Sequence, residues 1–163
     1  MKVLDHLQIK QKIKRIAYEI FEKNYDTQKL YLLGINNNGY AFAQLIFEQL
    51  TEICNFEVEL LRVTLSPANP LQQPVELSID AIGLHDQSII IIDDVANSGR
   101  TLFYAMKPIY DVIPKKIEVA ALVERMHRTF PIRVDYVGLT LSTTMLENIK
   151  VDLKSKEYSV NLE

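Results

Sequence analysis

Residues 88–101 read Ser-Ile-Ile-Ile-Ile-Asp-Asp-Val-Ala-Asn-Ser-Gly-Arg-Thr, and this stretch decides the fold. Its isoleucine run lacks the polar alternation of a half-exposed strand. We therefore predict a strand over residues 89–92 that is covered on both faces, as in a parallel sheet. Parallel sheets carry their ligand sites at the carboxyl ends of the strands. The adjacent carboxylates Asp93 and Asp94 come at such an end.

The turn after the two carboxylates has the chemistry of an anion site. Gly99 permits positive φ or a close backbone approach. A helix is predicted to begin near Gly99 or Arg100, so its free N–H groups and positive dipole end point into the turn. Ser98 and Thr101 add hydroxyl donors, and a monophosphate would fit this cradle. The other interpretation, a plain strand-to-helix turn with an aspartate N-cap, accounts for one carboxylate but not for two.

Length and composition indicate one soluble globular domain over residues 1–163. The chain has 48% hydrophobic and 24% charged residues, which is ordinary for such a domain. A formal net charge of −3 predicts no general attraction to nucleic acid or acidic membranes, although a local basic face is compatible with it. The single cysteine, Cys54, excludes an internal disulfide and favours a reducing cytoplasm. Neither a leader in residues 1–6 nor a membrane-spanning stretch is visible, so we expect a cytoplasmic protein with no membrane partner.

Strand and helix patterns alternate along the rest of the chain. Ile9, Ile13, Ile16 and Ile20 recur at helical spacing. Another helix is predicted over residues 40–53 with Ala41, Leu45 and Ile46 inward, after a turn at residues 36–39. Prolines between residues 66 and 74 predict a loop, interpreted as a mobile flap. Strands are predicted over residues 30–35, 56–60, 75–79, 89–92, 117–123, 134–139 and 151–153. The fold class is therefore α/β, a mostly parallel twisted sheet flanked by helices.

Two segments resemble the type I phosphoribosyltransferases. Residues 89–101 are similar to that family's signature for phosphoribosyl pyrophosphate (PRPP): an apolar run, two acids and a loop that ends here in Ser-Gly-Arg-Thr. Residues 121–138 resemble the L-V-D-R-G-H-R-x-L-P-I-R-A-D-Y-I-G pattern of the PyrR family, pyrimidine operon attenuators with uracil phosphoribosyltransferase activity. The similarity runs from the first helix to about residue 153. It implies the type I phosphoribosyltransferase fold with a small hood, which we assign to residues 64–80.

The resemblance also implies roles for individual residues. Asp93 and Asp94 would be the catalytic pair that binds the ribose hydroxyls. The residues expected to bind the other parts of the substrates are Ala96, Asn97, Ser98, Gly99 and Thr101 for the 5′-phosphate, Asn36, Asn37, Asn38 and Gly39 for the pyrophosphate, and Tyr136, Val137 and Arg125 for the base. Mg²⁺ is the implied cofactor. It would arrive with PRPP and take no direct protein ligand except Asp93.

The chain departs from the family pattern around the leaving group. The family has Lys-Thr-Arg-Gly in its pyrophosphate loop, whereas residues 36–39 are Asn-Asn-Asn-Gly and carry no charge. Charge-assisted contacts are roughly twice as strong as neutral ones, so this half of the site is depleted. The flap is shorter, with Thr-Leu-Ser-Pro at residues 64–67 in place of Thr-Leu-Tyr-Arg-Asp-Asp. Asn97 replaces a tyrosine in the phosphate loop.

Three functions are compatible with these features. The first is a phosphoribosyltransferase that uses PRPP and a nucleobase such as uracil. The second is a catalytically weakened regulatory protein that senses PRPP or a nucleotide. The third is an RNA-binding attenuator of pyrimidine genes, with Arg128 and Arg133 as candidates for the RNA-binding face. We put the enzyme first, because backbone amides supply much of the pyrophosphate binding and survive side-chain change. The resemblance also implies a homodimer or larger homo-oligomer.

Two other features are assigned structural roles. Glu124 is a candidate general base by position only, and we favour an acid paired with Arg125 or Arg128. The three histidines show no metal-ligand spacing. His127 is therefore expected to be structural or interfacial.

Overall fold

A computed structural model of the chain describes residues 1–144 and 147–163. Up to residue 125 most strands are separated by helices, as in an α/β fold, and the described residues after that form strands with no helix between them. The elements are β1 (Lys2–Leu4), α1 (His6–Lys23), β2 (Lys29–Ile35), α2 (Asn36–Ile53), β3 (Glu57–Thr64), β4 (Glu76–Leu77), β5 (Ser88–Ala96), α3 (Arg100–Ala105), β6 (Lys116–Arg125), β7 (Tyr136–Leu141), β8 (Ile149–Asp152) and β9 (Ser159–Leu162). Short 3-10 helices cover Ala81–Leu84 and Lys107–Asp111.

The main sheet has the strand order β4-β3-β2-β5-β6-β7. Its strands are parallel except β4, which pairs antiparallel with the end of β3 at one edge. The isoleucine strand β5 lies inside the sheet, between β2 and β6. The predicted fold class, a mostly parallel sheet flanked by helices, is confirmed.

The isoleucine run is buried because both faces of β5 are covered. Ile90 and Ile92 belong to a core shared with α1 and α2. Ile89 and Ile91 belong to a second core, which includes residues of α3. All four side chains are fully buried. A strand packed on both faces has no polar side to alternate with, which explains the unbroken apolar run.

A second, smaller sheet joins the two ends of the chain in the antiparallel order β1-β9-β8. The Met1 amino group donates to the Leu162 carbonyl at 2.5 Å, and Val160 packs into the core below α1. β8 also contacts the central strand β5. The sequence did not predict β1 or β9. Among the described residues, no helix has both the length and the apolar content needed to cross a membrane.

Two of the element boundaries that differ from the sequence prediction lie at the candidate site. The predicted turn at residues 36–39 is wrong, because α2 begins at Asn36, which takes a left-handed backbone with φ of 52°. Asparagine tolerates this conformation better than most residues. The central strand also continues past Ile92 to Ala96, since β6 goes on pairing with it at Asp93 and Val95.

Helix packing also differs from the expected pattern in detail. In α2, Ile46 is buried as predicted, but Ala41 and Leu45 are only partly buried. Phe42 and Ala43 occupy the core positions instead. The buried residues Gly39, Phe42, Ala43, Ile46 and Leu50 recur at helical spacing and form the face that packs on the sheet.

Candidate active site

Asp93 and Asp94 lie where the central strand outruns its neighbour. The paired register of β2 and β5 ends with Gly34 opposite Ile92, and the chain of β2 then turns into α2. The two carboxylates follow Ile92 directly, so they stand beside the first turn of α2. On their other side the chain of β5 continues into the loop before α3. Two loops and two carboxylates therefore meet at one edge of the sheet.

Asp93 is a buried carboxylate, with only 9% of its surface exposed. It accepts a hydrogen bond from the backbone N–H of Asp94 at 2.9 Å. Burial, followed by the nearby charge of Asp94, raises the pKa of Asp93 well above its ordinary range, and the backbone bond opposes this only in part. A buried acid with raised pKa at a strand end is a candidate functional group, because a cation or hydroxyl ligand would relieve its isolation.

The loop after Asp94 forms a small concavity of about 40 Å³ lined by residues 93 and 95–102. Gly99 takes a φ of 87° there and caps α3 without a side-chain hydrogen bond. The interpretation of an aspartate N-cap is therefore wrong, and neither carboxylate is used to cap α3. Ser98 Oγ accepts from the Arg100 backbone N–H at 3.3 Å. The concavity has room for one compact anion.

A second segment holds this loop in place. The backbone N–H groups of Thr129 and Phe130 donate to the Ser98 carbonyl at 3.0 and 3.1 Å. Ile132 packs against Gly99, where an added Cβ would meet Ile132 Cβ at 3.3 Å. The phosphate loop is thus fixed from outside by the chain between β6 and β7.

The first turn of α2 packs directly on Asp93. A Cβ at Gly39 would lie 2.7 Å from the Ile92 carbonyl oxygen and 3.1 Å from Asp93 Oδ1, so only glycine lets the helix come this close. The first N–H groups of a helix have no partner within it, and here they lie beside the carboxylates. Asn36 is committed elsewhere, because its Oδ1 accepts from the Leu65 backbone N–H at 3.0 Å.

Asp93 and Val137 pair with the same residue, Ala121 of β6, from its two sides, so they lie at one level of the sheet. The Tyr136 side chain is fully buried and its hydroxyl donates to Glu118 at 2.9 Å, and the role of Tyr136 in base binding stays a prediction. Burial, and then the Glu118 carboxylate, raise the pKa of this phenol. The Val137 carbonyl already accepts from Arg15 Nη2 at 2.7 Å.

Arg125 ends β6 at the carboxyl edge and is 6% exposed. Its Nη2 donates to the Thr144 carbonyl, and His127 Nε2 lies 2.8 Å from the Thr143 carbonyl. Both side chains thus bind carbonyls of residues that follow β7 directly, which is a structural contact of the kind expected for His127. The role of Arg125 in base binding stays a prediction.

The remaining charged candidates are engaged in ion pairs. Arg128 pairs with Glu124 and also donates to the Ile132 carbonyl. This pairing confirms the interpretation of Glu124 as a paired acid. Arg133 pairs with Asp135 at 3.0 Å, although its side chain is 90% exposed. Both candidates for an RNA-binding face thus have a carboxylate partner within the described residues.

The acidic pair suits a Mg²⁺ ion delivered by a substrate. Within residues 1–144 and 147–163 no group of three or more potential ligands could by itself hold a metal ion. Mg²⁺ is commonly bound by one or two carboxylates together with substrate phosphates and water. Asp93 and Asp94 supply oxygen donors of that kind, so the residues fit the ion as a companion of a diphosphate.

Two arginines at this edge were missed in the sequence. Arg100 donates to the Pro67 carbonyl at 2.6 Å and so ties the phosphate loop to the proline-rich flap. Arg62 donates from Nη1 to Asn37 Oδ1 at 2.9 Å. The available signal for Arg62 was its position near the end of a strand, but the contact depends on the register of β3 against β2.

Known proteins share this arrangement of elements. The sequence model of the family described as "Phosphoribosyl transferase domain" matches residues 2–156. The chain is 35% identical over 161 residues to the bifunctional protein PyrR of Enterococcus faecalis, covering 95% of this chain and 90% of that protein. It is 34% identical over 158 residues to the bifunctional protein PyrR of Pediococcus pentosaceus, covering 91% and 89%. A crystal structure of a hypoxanthine-guanine phosphoribosyltransferase from Bacillus anthracis has the same fold, with a TM-score of 0.71 at 17% identity, covering 86% of this chain and 82% of that one.

Proposed function

This chain belongs to the phosphoribosyl transferase domain family, and from that premise we propose that it transfers the phosphoribosyl group of PRPP to a pyrimidine base such as uracil. The single observation that carries the proposal is the position of Asp93. Its carboxylate lines the concavity of the phosphate loop and also touches the first turn of α2 at Gly39. One residue thus joins an anion site on each side, and PRPP has a phosphate on each side of its ribose diol.

Each part of the substrate has a matching part of the edge. The 5′-phosphate would lie in the concavity formed by residues 96–101, bound by backbone N–H and hydroxyl groups. Asp93 and Asp94 would accept hydrogen bonds from the ribose hydroxyls. The diphosphate would lie on the free N–H groups at the start of α2, where the helix dipole favours negative charge. The proline-rich flap at residues 64–80, tied to both loops by Leu65 and Pro67, would cover the substrate as a hood.

The chemistry asked of these residues is electrostatic. The bond between ribose C1 and the diphosphate breaks, a bond between C1 and a ring nitrogen of the base forms, and that nitrogen releases its proton to solvent. Positive charge develops on the sugar next to the carboxylates, while the diphosphate leaves with its electron pair towards α2. Mg²⁺, held by the diphosphate and Asp93, would neutralise part of the leaving group's charge. The protein contributes mainly position and fixed dipoles.

The base would lie on the β7 side of the carboxylates, where Val137 pairs with Ala121 of β6 and Ala121 pairs with Asp93. Arg125 ends β6 at the same edge and donates to the Thr144 carbonyl. Tyr136, Val137 and Arg125 stay the residues proposed to bind the base.

The direct test is turnover. Purified protein incubated with PRPP, Mg²⁺ and uracil should form uridine monophosphate and pyrophosphate in equal amounts, measured by chromatography. Hypoxanthine in place of uracil tests the base class. Absence of both nucleotide products at saturating PRPP would overturn the proposed transfer reaction.

A second candidate is a regulatory protein that binds PRPP or a nucleotide without turning it over. It is favoured by the loop at residues 36–39, which carries no charge and whose Asn36 side chain is committed to the flap. Tight binding of uridine monophosphate, measured by calorimetry, with no product from uracil and PRPP would select this candidate. The names of the bifunctional relatives are compatible with either role.

A further inference from the structure

The start of α2 can bind an anion through its N–H dipoles, but it has no positively charged side chain. Residues 36–39 contain no lysine or arginine. A diphosphate carries several negative charges, and charge-assisted hydrogen bonds are roughly twice as strong as neutral ones. If the start of α2 holds a diphosphate, Mg²⁺ would neutralise part of its charge, and any positive charge from the protein has to come from another element.

Arg62 lies next to this turn on the neighbouring strand. It pairs in register with Gly34, two residues before α2 begins. Its Nη1 donates to Asn37 Oδ1 at 2.9 Å, and its guanidinium lies 4.1 Å from the centre of the Tyr40 ring. Its backbone N–H also donates to Ser78 Oγ at 3.0 Å. The guanidinium is therefore held against the first turn of α2 by its contacts with Asn37 and Tyr40.

The charge of Arg62 is not neutralised within the described part of the chain. Arg15, Arg128 and Arg133 each form an ion pair with a glutamate or aspartate. Arg62 forms none with any carboxylate of residues 1–144 and 147–163; its side-chain contacts are an amide and an aromatic face. A guanidinium has five N–H donors, so donors are left over after the bond to Asn37. A planar fork of donors with no anion beside it suits a phosphate group.

We infer that Arg62 binds the diphosphate group of PRPP and supplies the positive charge that the turn at residues 36–39 lacks. Asn37 and Tyr40 of α2 orient the guanidinium towards the free N–H groups of the helix. This inference rests on the proposed use of PRPP and extends it, because it adds a residue from β3 to a site otherwise formed by α2 and β5. It also reduces the apparent depletion of the leaving-group side.

The test compares ligands with and without a diphosphate. In Arg62→Met, which keeps an unbranched stem to pack on Tyr40, we expect the affinity for PRPP and for inorganic pyrophosphate to fall about tenfold or more. The affinity for uridine monophosphate, which has only the 5′-phosphate, should change less than about twofold. Calorimetry at two salt concentrations should show a weaker salt dependence of PRPP binding in the variant, since one screened charge is gone.

Controls separate the charge from the fold. Lys107→Gln also removes one positive charge, from an exposed position on the 3-10 helix Lys107–Asp111, and should bind all three ligands like the parent protein. Arg62→Lys keeps the charge but not the fork and should lie between the parent and Arg62→Met. Asn37→Ala leaves Arg62 in place without its anchor and should weaken PRPP binding severalfold, with uridine monophosphate unaffected.

The results distinguish failure of the inference about Arg62 from failure of the proposed function. Parent-like affinity for PRPP in Arg62→Met, with uridine monophosphate bound normally, overturns the inference and leaves the proposed function standing. If Arg62→Met does not fold, parent-like PRPP affinity in Asn37→Ala overturns it instead. Failure of the parent protein to bind either PRPP or uridine monophosphate overturns the proposed function itself.

Discussion

Two buried carboxylates of this protein, Asp93 and Glu118, are equally hidden, each with 9% of its surface exposed, but they have opposite surroundings. Glu118 accepts from the Tyr136 hydroxyl at 2.9 Å and pairs with Lys116 Nζ at 3.1 Å. Asn24 Nδ2 adds a longer bond at 3.4 Å. Asp93 has the backbone N–H of its own neighbour and a second carboxylate beside it.

The number of partners around each carboxylate distinguishes a structural residue from a candidate functional one. A buried polar group with a full set of partners stabilises the fold, and one without them costs stability and calls for an explanation. Glu118 is complete without a ligand and links α1, β6 and β7. Asp93 is incomplete, and a ribose hydroxyl or a Mg²⁺ ion would complete it. Burial alone would not have distinguished the two residues.

The strongest way to break this comparison is to neutralise the acidic pair. Asp93→Asn combined with Asp94→Asn should lower turnover of PRPP by about 10³-fold, because each lost charge-assisted bond is worth about 2 kcal/mol. Product formation from uracil and affinity for uridine monophosphate are the measurements. Asp111→Asn, an exposed acid on a 3-10 helix, is the matched control and should be unaffected. Unchanged nucleotide affinity in the double variant would remove Asp93 and Asp94 from the site.

A second prediction concerns the loop beside Asp93. Gly99→Ala places a Cβ on a backbone with φ of 87° and within 3.3 Å of Ile132. The strain of about 1–2 kcal/mol should distort the phosphate concavity and weaken uridine monophosphate binding about tenfold. Gly83→Ala is the matched control, because Gly83 does not have positive φ and lies in the 3-10 helix Ala81–Leu84. An affinity equal to that of the control would show that the loop does not hold the phosphate.

Glu118 gives the opposite prediction. Tyr136→Phe removes the hydroxyl that donates to Glu118, which should lower the free energy of unfolding by about 1–3 kcal/mol, measured by urea denaturation. The KM for the base should not change, since the ring lies in the core. A raised KM for the base with unaltered stability would show that the Tyr136 hydroxyl serves base binding and not the support of Glu118.

These residues also show how far the sequence can be used for prediction. Residues 89–101 supply a strand, two acids and a phosphate loop in one continuous segment, so local pattern sufficed for the fold class and for the position of Asp93 and Asp94. The surroundings of the Tyr136 side chain were not predicted, because they come from Asn24 and Glu118, which lie in other parts of the chain. Arg62 was missed for the same reason, since its contact with Asn37 follows from strand register. Contacts between elements are not encoded in any short window.

The smallest expected effect is that of Asp93→Asn on stability. This substitution should raise the stability of the protein, whereas it should lower the activity. The raised pKa of Asp93 means that the folded protein binds this proton more tightly than the unfolded chain. From about pH 4, the ordinary value of an aspartate, stability should therefore fall as pH rises towards the native pKa, and the penalty is complete above it. Asp93→Asn lacks this penalty, so its melting temperature at pH 8 should be higher than that of the parent protein. The advantage should shrink on acidification and vanish near pH 4, as followed by melting temperature across pH in the absence of ligand. A constant difference at every pH would mean that the carboxylate is not isolated, and Asp93 would then resemble Glu118.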